Sequence, residues 1–448
     1  MMKPSLSREI NFTQSSEKGL TQEINLSTKP AHKRRRLTLS PRIWIVNQFA
    51  NTPDVPGHTR QYELGQFLVQ QGCQVNVFTS DYNLAKRQYI KLKFPQVWHL
   101  DNFEGFHWNW LYAAPYQVNN WRRYVNMLSF CLTLFLAGLF KPKPDLIIGS
   151  SPQLLAAFTA WILAKLRGAK FYFEVRDLWP QVLIELGGKS PDSLIVRLLA
   201  WIERLLYQKS DRVIVLAAGA VDYVTKRGAE CVSWLPNGPD VEEFKVELPL
   251  ELAKIHYQID PERICLMYTG AHGTANSLNT IVEAARLLDQ SHPNQFLILL
   301  VGDGPEKAQL IEQASGIQCL EFRPPIPKAE IPKLLRAADG LILTLKNIPM
   351  FHYGVSPNKL YDYYAAGKPV VVAVGGSVNQ EVQDYHLGFT AEPEDAQGLA
   401  EAISQLLDTL PAEREAMGKR GQALINSTYS RLRVATQLWT LIQEDLST

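Results

Sequence analysis

From residue 41 onward, short β-branched apolar runs alternate with stretches whose apolar residues recur every three or four positions, the pattern of a parallel α/β sheet. Ile43–Val46, Val75–Thr79, Leu146–Gly149, Phe171–Glu174 and Val213–Leu216 read as strands. Thr59–Gln71, with apolar Tyr62, Leu64, Phe67 and Leu68, reads as a helix. A dense turn signal, Pro236-Asn237-Gly238-Pro239-Asp240, closes this set. A second set opens near residue 260, where strands Leu266–Thr269, Phe296–Val301, Leu341–Thr344 and Val370–Ala373 alternate with helices over 278–289, 305–315, 329–337, 357–366 and 396–409. The pattern predicts an α/β protein of two tandem Rossmann-like domains, 41–236 and 237–425, facing across a cleft, with a last helix over 426–448 expected to pack back on the first domain. Ligands of such sheets bind outside the carboxyl ends of the strands, so the cleft is the expected site.

Two segments depart from the pattern. Met127–Phe140 is an uncharged run of 14 residues between Trp121-Arg122-Arg123 and Lys141-Pro142-Lys143. It is shorter than the roughly 20 residues that span a bilayer, which leaves a buried helix or one lying in a membrane interface. Residues 1–40 hold eight Lys or Arg against three Glu and end in His32-Lys33-Arg34-Arg35-Arg36. They read as a disordered basic tail and not a secretory signal, serving solubility or attraction to an anionic membrane. The tail's charge of +5 leaves −3 on the remainder of a chain whose formal charge is +2, which argues against nucleic acid as a partner. With 46% apolar and 20% charged residues, the 448-residue chain has the profile of a folded soluble protein. Its five cysteines are scattered, odd in number and without zinc-site spacing, which fits buried thiols in a reducing compartment.

Candidate chemistry sits in the loops that follow strands. The first, Asn47–Arg60, lacks the Gly-x-Gly-x-x-Gly fingerprint, against a nicotinamide or flavin enzyme. Gly57 still allows a ligand close to the helix start, where His58 and Arg60 are candidate acceptor or phosphate contacts; the alternative is an ordinary surface loop. Glu174-Val175-Arg176-Asp177 follows a strand's carboxyl end. Alternation places Glu174 and Arg176 on one face, either contacting an acceptor or bracing the loop, and Asp177 is expected to face the cleft. The strongest signal is Tyr353–Val372, where Ser356 is a favoured N-cap, Pro357 suits the first helical position and Gly367 ends the helix. The start of that helix combines Gly354, the free backbone donors around Ser356 and Asn358, and Lys359, a site for a diphosphate without any metal. Asp362, one turn on, can accept hydrogen bonds from a ribose diol. The loops Gly270-Ala271-His272-Gly273-Thr274-Ala275-Asn276 and Gly302-Asp303-Gly304 add two close-approach segments on the same edge, a cradle for a nucleotide.

On these stretches, together with Leu235-Pro236-Asn237-Gly238, the chain over about residues 42–448 resembles the family-4 glycosyltransferases of the GT-B fold. Within them it is similar to the bacterial surface-polysaccharide branch typified by N-acetyl-fucosaminyl transferases. The resemblance implies a metal-independent enzyme without a bound cofactor. It would transfer an N-acetylated or deoxy hexose, with retention, from a nucleotide diphosphate sugar, UDP preferred, to a lipid-linked or polysaccharide-precursor acceptor. The family's Glu-x7-Glu motif falls on 354–362: its ribose ligand becomes Asp362, and the acid that touches the donor sugar becomes Gly354. The family's Arg and Lys for the diphosphate stand as Ala271 and near Asn276. That leaves Lys359, His272 and backbone donors to neutralise the leaving group, while Asp177 orients the acceptor hydroxyl or stabilises charge at the anomeric carbon.

The apolar 127–140 helix, Trp108, Trp110 and Trp121, and basic Arg122, Arg123, Lys141 and Lys143 suit a polyprenyl diphosphate sugar at the inner face of the cell membrane, so a cytoplasmic, peripheral enzyme is expected. Two other functions fit the same fold. One is a nucleotide-sugar epimerase; the other is a non-catalytic nucleotide-sugar binder, for which Gly354 is the best argument.

Overall fold

The computed structural model describes residues 40–447 apart from 56–58, 84, 85, 94, 104, 119 and 354. The basic tail up to residue 39, Gly57, His58 and Gly354 therefore lie outside the described residues. The first sheet has eight strands in the order Val232–Trp234, Arg212–Val215, Lys170–Val175, Leu146–Ser150, Arg42–Val46, Gln74–Ser80, Phe106–Leu111 and Trp98–Phe103. Neighbours are parallel except the last pair, an antiparallel hairpin at the edge. The second sheet is wholly parallel, in the order Leu320–Arg323, Phe296–Val301, Ile264–Thr269, Gly340–Thr344, Val370–Ala373 and Gly388–Thr390. Central strands such as Phe296–Val301 are buried along their whole length, because helices cover both faces; that is why they are continuous apolar runs.

The edge hairpin changes one expectation. Trp108 and Trp110, proposed above for an acceptor surface, are fully buried in the strand Phe106–Leu111. Their rings pack on each other at 5.8 Å, and Trp108 also meets Tyr62 at 5.8 Å. Their large apolar area stabilises the core instead. Trp121, by contrast, is 66% exposed.

The final helix, Arg431–Ser447, lies on the first domain, with Val434, Ala435, Leu438 and Ile442 in that domain's core. Asp445 fixes its end by accepting from the Tyr172 hydroxyl at 2.5 Å and from two Arg212 nitrogens at 2.9 Å. The chain thus crosses between the domains twice, at 236–239 and again at 429–431. The crossings touch: the Arg431 N–H donates to the Pro239 carbonyl at 3.2 Å, and a Cβ on Gly238 would lie 1.6 Å from the Tyr429 carbonyl oxygen. All five cysteines are free; Cys73, Cys265 and Cys319 are buried, and burial pushes their thiols up to about 12.

Candidate active site

The carboxyl edges of the two sheets meet around a cavity of about 310 Å³, lined from the first domain by Arg60 and Arg176 and from the second by Gly270, Asn358, Lys359 and Asp362. The segment that supplies the last three is the helix Asn358–Ala365. Pro357, not Ser356, takes the capping position. Ser356 instead shares a hydrogen bond with the Tyr361 hydroxyl at 3.1 Å, so the first N–H groups of the helix have no side-chain cap. Leu360, Tyr361, Tyr363 and Tyr364 anchor the helix in the domain core, which turns Lys359 and Asp362 toward the cavity.

Lys359 lies across Gly270. A Cβ there would sit 2.1 Å from the lysine Cε, and Gly270 has φ +142°, so glycine serves both the backbone and the close approach. The lysine Nζ donates to the Asn276 Oδ1 at 3.1 Å, and the Asn276 amide is itself held by the Ala271 carbonyl at 3.0 Å. Asn276 therefore positions Lys359. Desolvation lowers the ammonium to about 8, against the opposing pull of Asp362. Desolvation also raises the Asp362 carboxyl to about 7, in spite of Lys328, Arg431 and Lys359 nearby.

On the other wall the bracing alternative holds for Glu174. Its carboxylate accepts from Arg60 Nε at 2.9 Å, from the Gln61 amide at 3.1 Å and from the Ser150 hydroxyl. Burial pushes Glu174 up, but Arg60 and Arg176 outweigh it and hold the carboxyl below its usual range. Arg60 also donates to the carbonyls of Pro236 and Leu235 at 2.8 and 3.1 Å, tying the first helix to the interdomain crossing. Glu174 is buried away from any acceptor and is corrected to an architectural role, whereas Arg60 spends three of its N–H groups within the protein and still lines the cavity. Asp177 stands exposed at the mouth of a smaller pocket with Arg176, Met350 and Ser356. Crowding by the surrounding protein raises its pKa, partly offset by Arg176.

His272 is not where its sequence position suggests. Its ring is fully buried, near Tyr268 and Phe322, and neither ring nitrogen has a hydrogen-bond partner among the described residues. It fills space behind the loop and does not line the cavity. Gly302 and Gly304 likewise admit protein rather than ligand: a Cβ on Gly302 would lie 1.8 Å from the Gly270 carbonyl oxygen, and one on Gly304 2.3 Å from that of His272. These two glycines let one loop stack on the other, which sets the height of Gly270. Gly273 has no atom within 4 Å of a Cβ position and lies off the cavity lining.

Two cations that sequence reasoning missed complete the cavity. Lys328 Nζ reaches across the cleft to the Thr59 hydroxyl at 3.4 Å, and Arg431 pairs with Glu63 at 2.5 Å while donating to the Gly238 carbonyl at 2.8 Å. Both come from segments without a local motif. The cavity thus gathers Arg60, Arg176, Lys328, Lys359 and Arg431 with Asp362; Arg60 and Arg431 are matched by Glu174 and Glu63, which leaves Arg176, Lys328 and Lys359 against Asp362. Such an excess of fixed positive charge in a concave site favours a polyanionic ligand.

Two family models match the chain in tandem: "Glycosyl transferase 4-like domain" over residues 57–238 and "Glycosyl transferases group 1" over residues 263–409. The putative colanic acid biosynthesis glycosyl transferase WcaI of Escherichia coli is 26% identical over 361 residues, 77% of this chain and 87% of that protein. The probable glycosyltransferase WbjE of Pseudomonas aeruginosa is 23% identical over 66% of this chain and 76% of its own. Among solved structures, the sucrose-phosphate synthase of Thermosynechococcus elongatus superposes with a TM-score of 0.72 at 17% identity, covering 90% of this chain and 98% of that one. Anabaena HepE in complex with UDP-glucose gives a TM-score of 0.64 at 17% identity, covering 90% and 99%. The matched segments fall on the two sheets, one on each side of the cation-lined cleft, and the chain belongs to the GT-B glycosyltransferases of family 4.

Proposed function

We propose that this glycosyltransferase moves an N-acetylated or deoxy hexose from a UDP-sugar to a lipid-linked precursor of a surface polysaccharide, with retention and without a metal, at the cytoplasmic face of the membrane. The observation that carries the donor half is the pairing of Lys359 and Asp362 at the uncapped start of one helix, inside a cavity where cations outnumber acids. Lys359 and the first N–H groups of the helix bind the diphosphate, and Asp362 accepts from the ribose diol. HepE, whose structure holds UDP-glucose, supports a UDP donor, and the name of WcaI supports polysaccharide assembly.

In this reading the bond from the anomeric carbon to the β-phosphate oxygen breaks, and the acceptor hydroxyl adds on the same face. Its proton passes to the leaving phosphate oxygen. Negative charge grows on that phosphate as the bond opens, so a preorganised ammonium is worth more in the transition state than in the ground state. Asp177, in the neighbouring pocket that shares Arg176 with this cavity, orients the acceptor hydroxyl. Nothing among the relatives favours the epimerase.

The test is release of nucleoside diphosphate from a panel of nucleotide sugars, with and without a lipid-linked hexosamine acceptor. Acceptor-dependent UDP release from one sugar is expected. No release from any donor, or a UDP-soaked crystal with the ligand outside this cavity, overturns the reading.

A further inference from the structure

The helix Trp121–Phe140 exposes the face that a soluble amphipathic helix would make polar. Only 28% of its most apolar stretch is buried. Phe130, Leu134 and Ala137 face the core, while Trp121, Val125, Leu128, Leu132, Leu136 and Leu139, three or four residues apart, form an exposed stripe. The stripe has apolar neighbours. The helix Leu154–Arg167 packs beside it, and Leu194–Lys209 packs beside that one. Phe158 stacks on Trp161 at 5.6 Å and meets Trp201 edge-on at 6.2 Å, while Leu166, Leu198 and Trp201 are exposed at 61, 49 and 55%. Apolar surface therefore extends over three adjacent helices, far beyond the run that stands out in the sequence.

An apolar face alone would suit many partners; the charges on this one select among them. The three helices contain seven Lys or Arg and one acid, Glu203, which is buried against Tyr207. Arg122 and Arg123 mark one end of the first helix, and Lys141 follows its other end. We propose that this three-helix face docks on an anionic lipid bilayer, with Leu128, Leu132 and Trp201 in the acyl boundary and the cations at the level of the lipid phosphates. The start of the first helix lies near the cleft: Asn126 accepts from the Gln48 amide at 2.8 Å, and Gln48 follows the carboxyl end of the strand Arg42–Val46. A lipid-borne acceptor would thus enter the cleft from the docked face. The inference rests on the lipid-linked acceptor for its purpose, but docking is read without any sugar transfer, so the two fail separately.

The experiment is sedimentation of the full chain with vesicles of phosphatidylglycerol and phosphatidylcholine, or of phosphatidylcholine alone, at low and high salt. Binding to the anionic vesicles is expected, weaker by at least about tenfold at high salt or in the pair Arg122→Gln and Arg123→Gln. Leu128→Glu with Leu132→Glu, at exposed positions, should cut vesicle binding by at least about tenfold, with circular dichroism and UDP affinity unchanged. Wild-type protein that stays in the supernatant with both vesicle types overturns the proposal. So does equal binding by the leucine variant, or a solution dimer that the same variant dissociates, which would assign the face to a second copy. Vesicle binding without UDP release from any donor would sink the transfer reaction and leave the docking face standing.

Discussion

On the first-domain wall of the cleft, Arg60 is held by Glu174 and two carbonyls, and Glu174 by three donors. On the facing wall Lys359 donates to one side chain, Asn276, and lies 5.2 Å over the Tyr268 ring, while the Asp362 carboxylate accepts no hydrogen bond among the described residues. The two pairs have the same charges and similar burial, yet one is closed and the other open. A closed pair defines position, because removing either member strands the other in low dielectric. An open pair carries its desolvation cost until a ligand with complementary charge arrives, which is why both of its groups titrate near neutrality.

The largest effect that would break this contrast is on the closed pair. Glu174→Ala leaves Arg60 and Arg176 facing a buried void, and should lower stability by about 3–5 kcal/mol, read as a drop in the denaturation midpoint. A loss under about 1 kcal/mol would show that the brace is not one. On the open wall, Lys359→Ala should keep the midpoint at or above wild type, since it removes a desolvated charge, while kcat/KM for donor falls by about 10²–10³. A merely structural lysine would show the reverse. Next, Gly302→Ala drives a methyl into the Gly270 carbonyl and displaces the loop under Lys359; a stability loss of about 1–3 kcal/mol is expected together with weaker UDP binding.

The smallest effect is the pH profile. In the proposed donor mode the diol needs Asp362 ionised, so UDP affinity should fall as pH drops below about 7, and the diphosphate needs Lys359 protonated, so it should fall again above about 8. Calorimetric titration at acid, neutral and alkaline pH should therefore give a bell, and Asp362→Asn should flatten its acid limb alone. A flat profile in the wild type would mean that neither group touches the nucleotide.

The sequence made the sheets legible because parallel strands buried on both faces must be unbroken apolar runs, as in Phe296–Val301 and Val370–Ala373. The edge hairpin was not legible. Phe106, Trp108 and Trp110 alternate with His107 and Asn109 as in a half-buried strand, but only the completed sheet shows that Trp108 and Trp110 face inward and that Asn109 is buried as well. At the site, the glycine loops and the helix at Asn358 were readable, since cap and turn residues act locally. Which side chain fills the space beside a glycine is not a local matter: Gly270 admits Lys359, whereas Gly302 and Gly304 admit backbone, and His272 is sealed behind them. Lys328 and Arg431 reach the cavity only through the docking of one domain on the other, and no pattern in their own neighbourhoods announces it.

The touching crossings at Gly238 and Tyr429 have a mechanical corollary. A door with both hinges on one jamb can only swing, and two lobes joined by two adjacent strands of chain can separate only by turning about that seam. The contacts that must give way on such a swing include the bridge from Lys328 to the Thr59 hydroxyl and the bond from the Met350 N–H to the Glu185 carboxylate at 2.8 Å. Entry to the cleft and exit from it are then the same motion run in opposite directions.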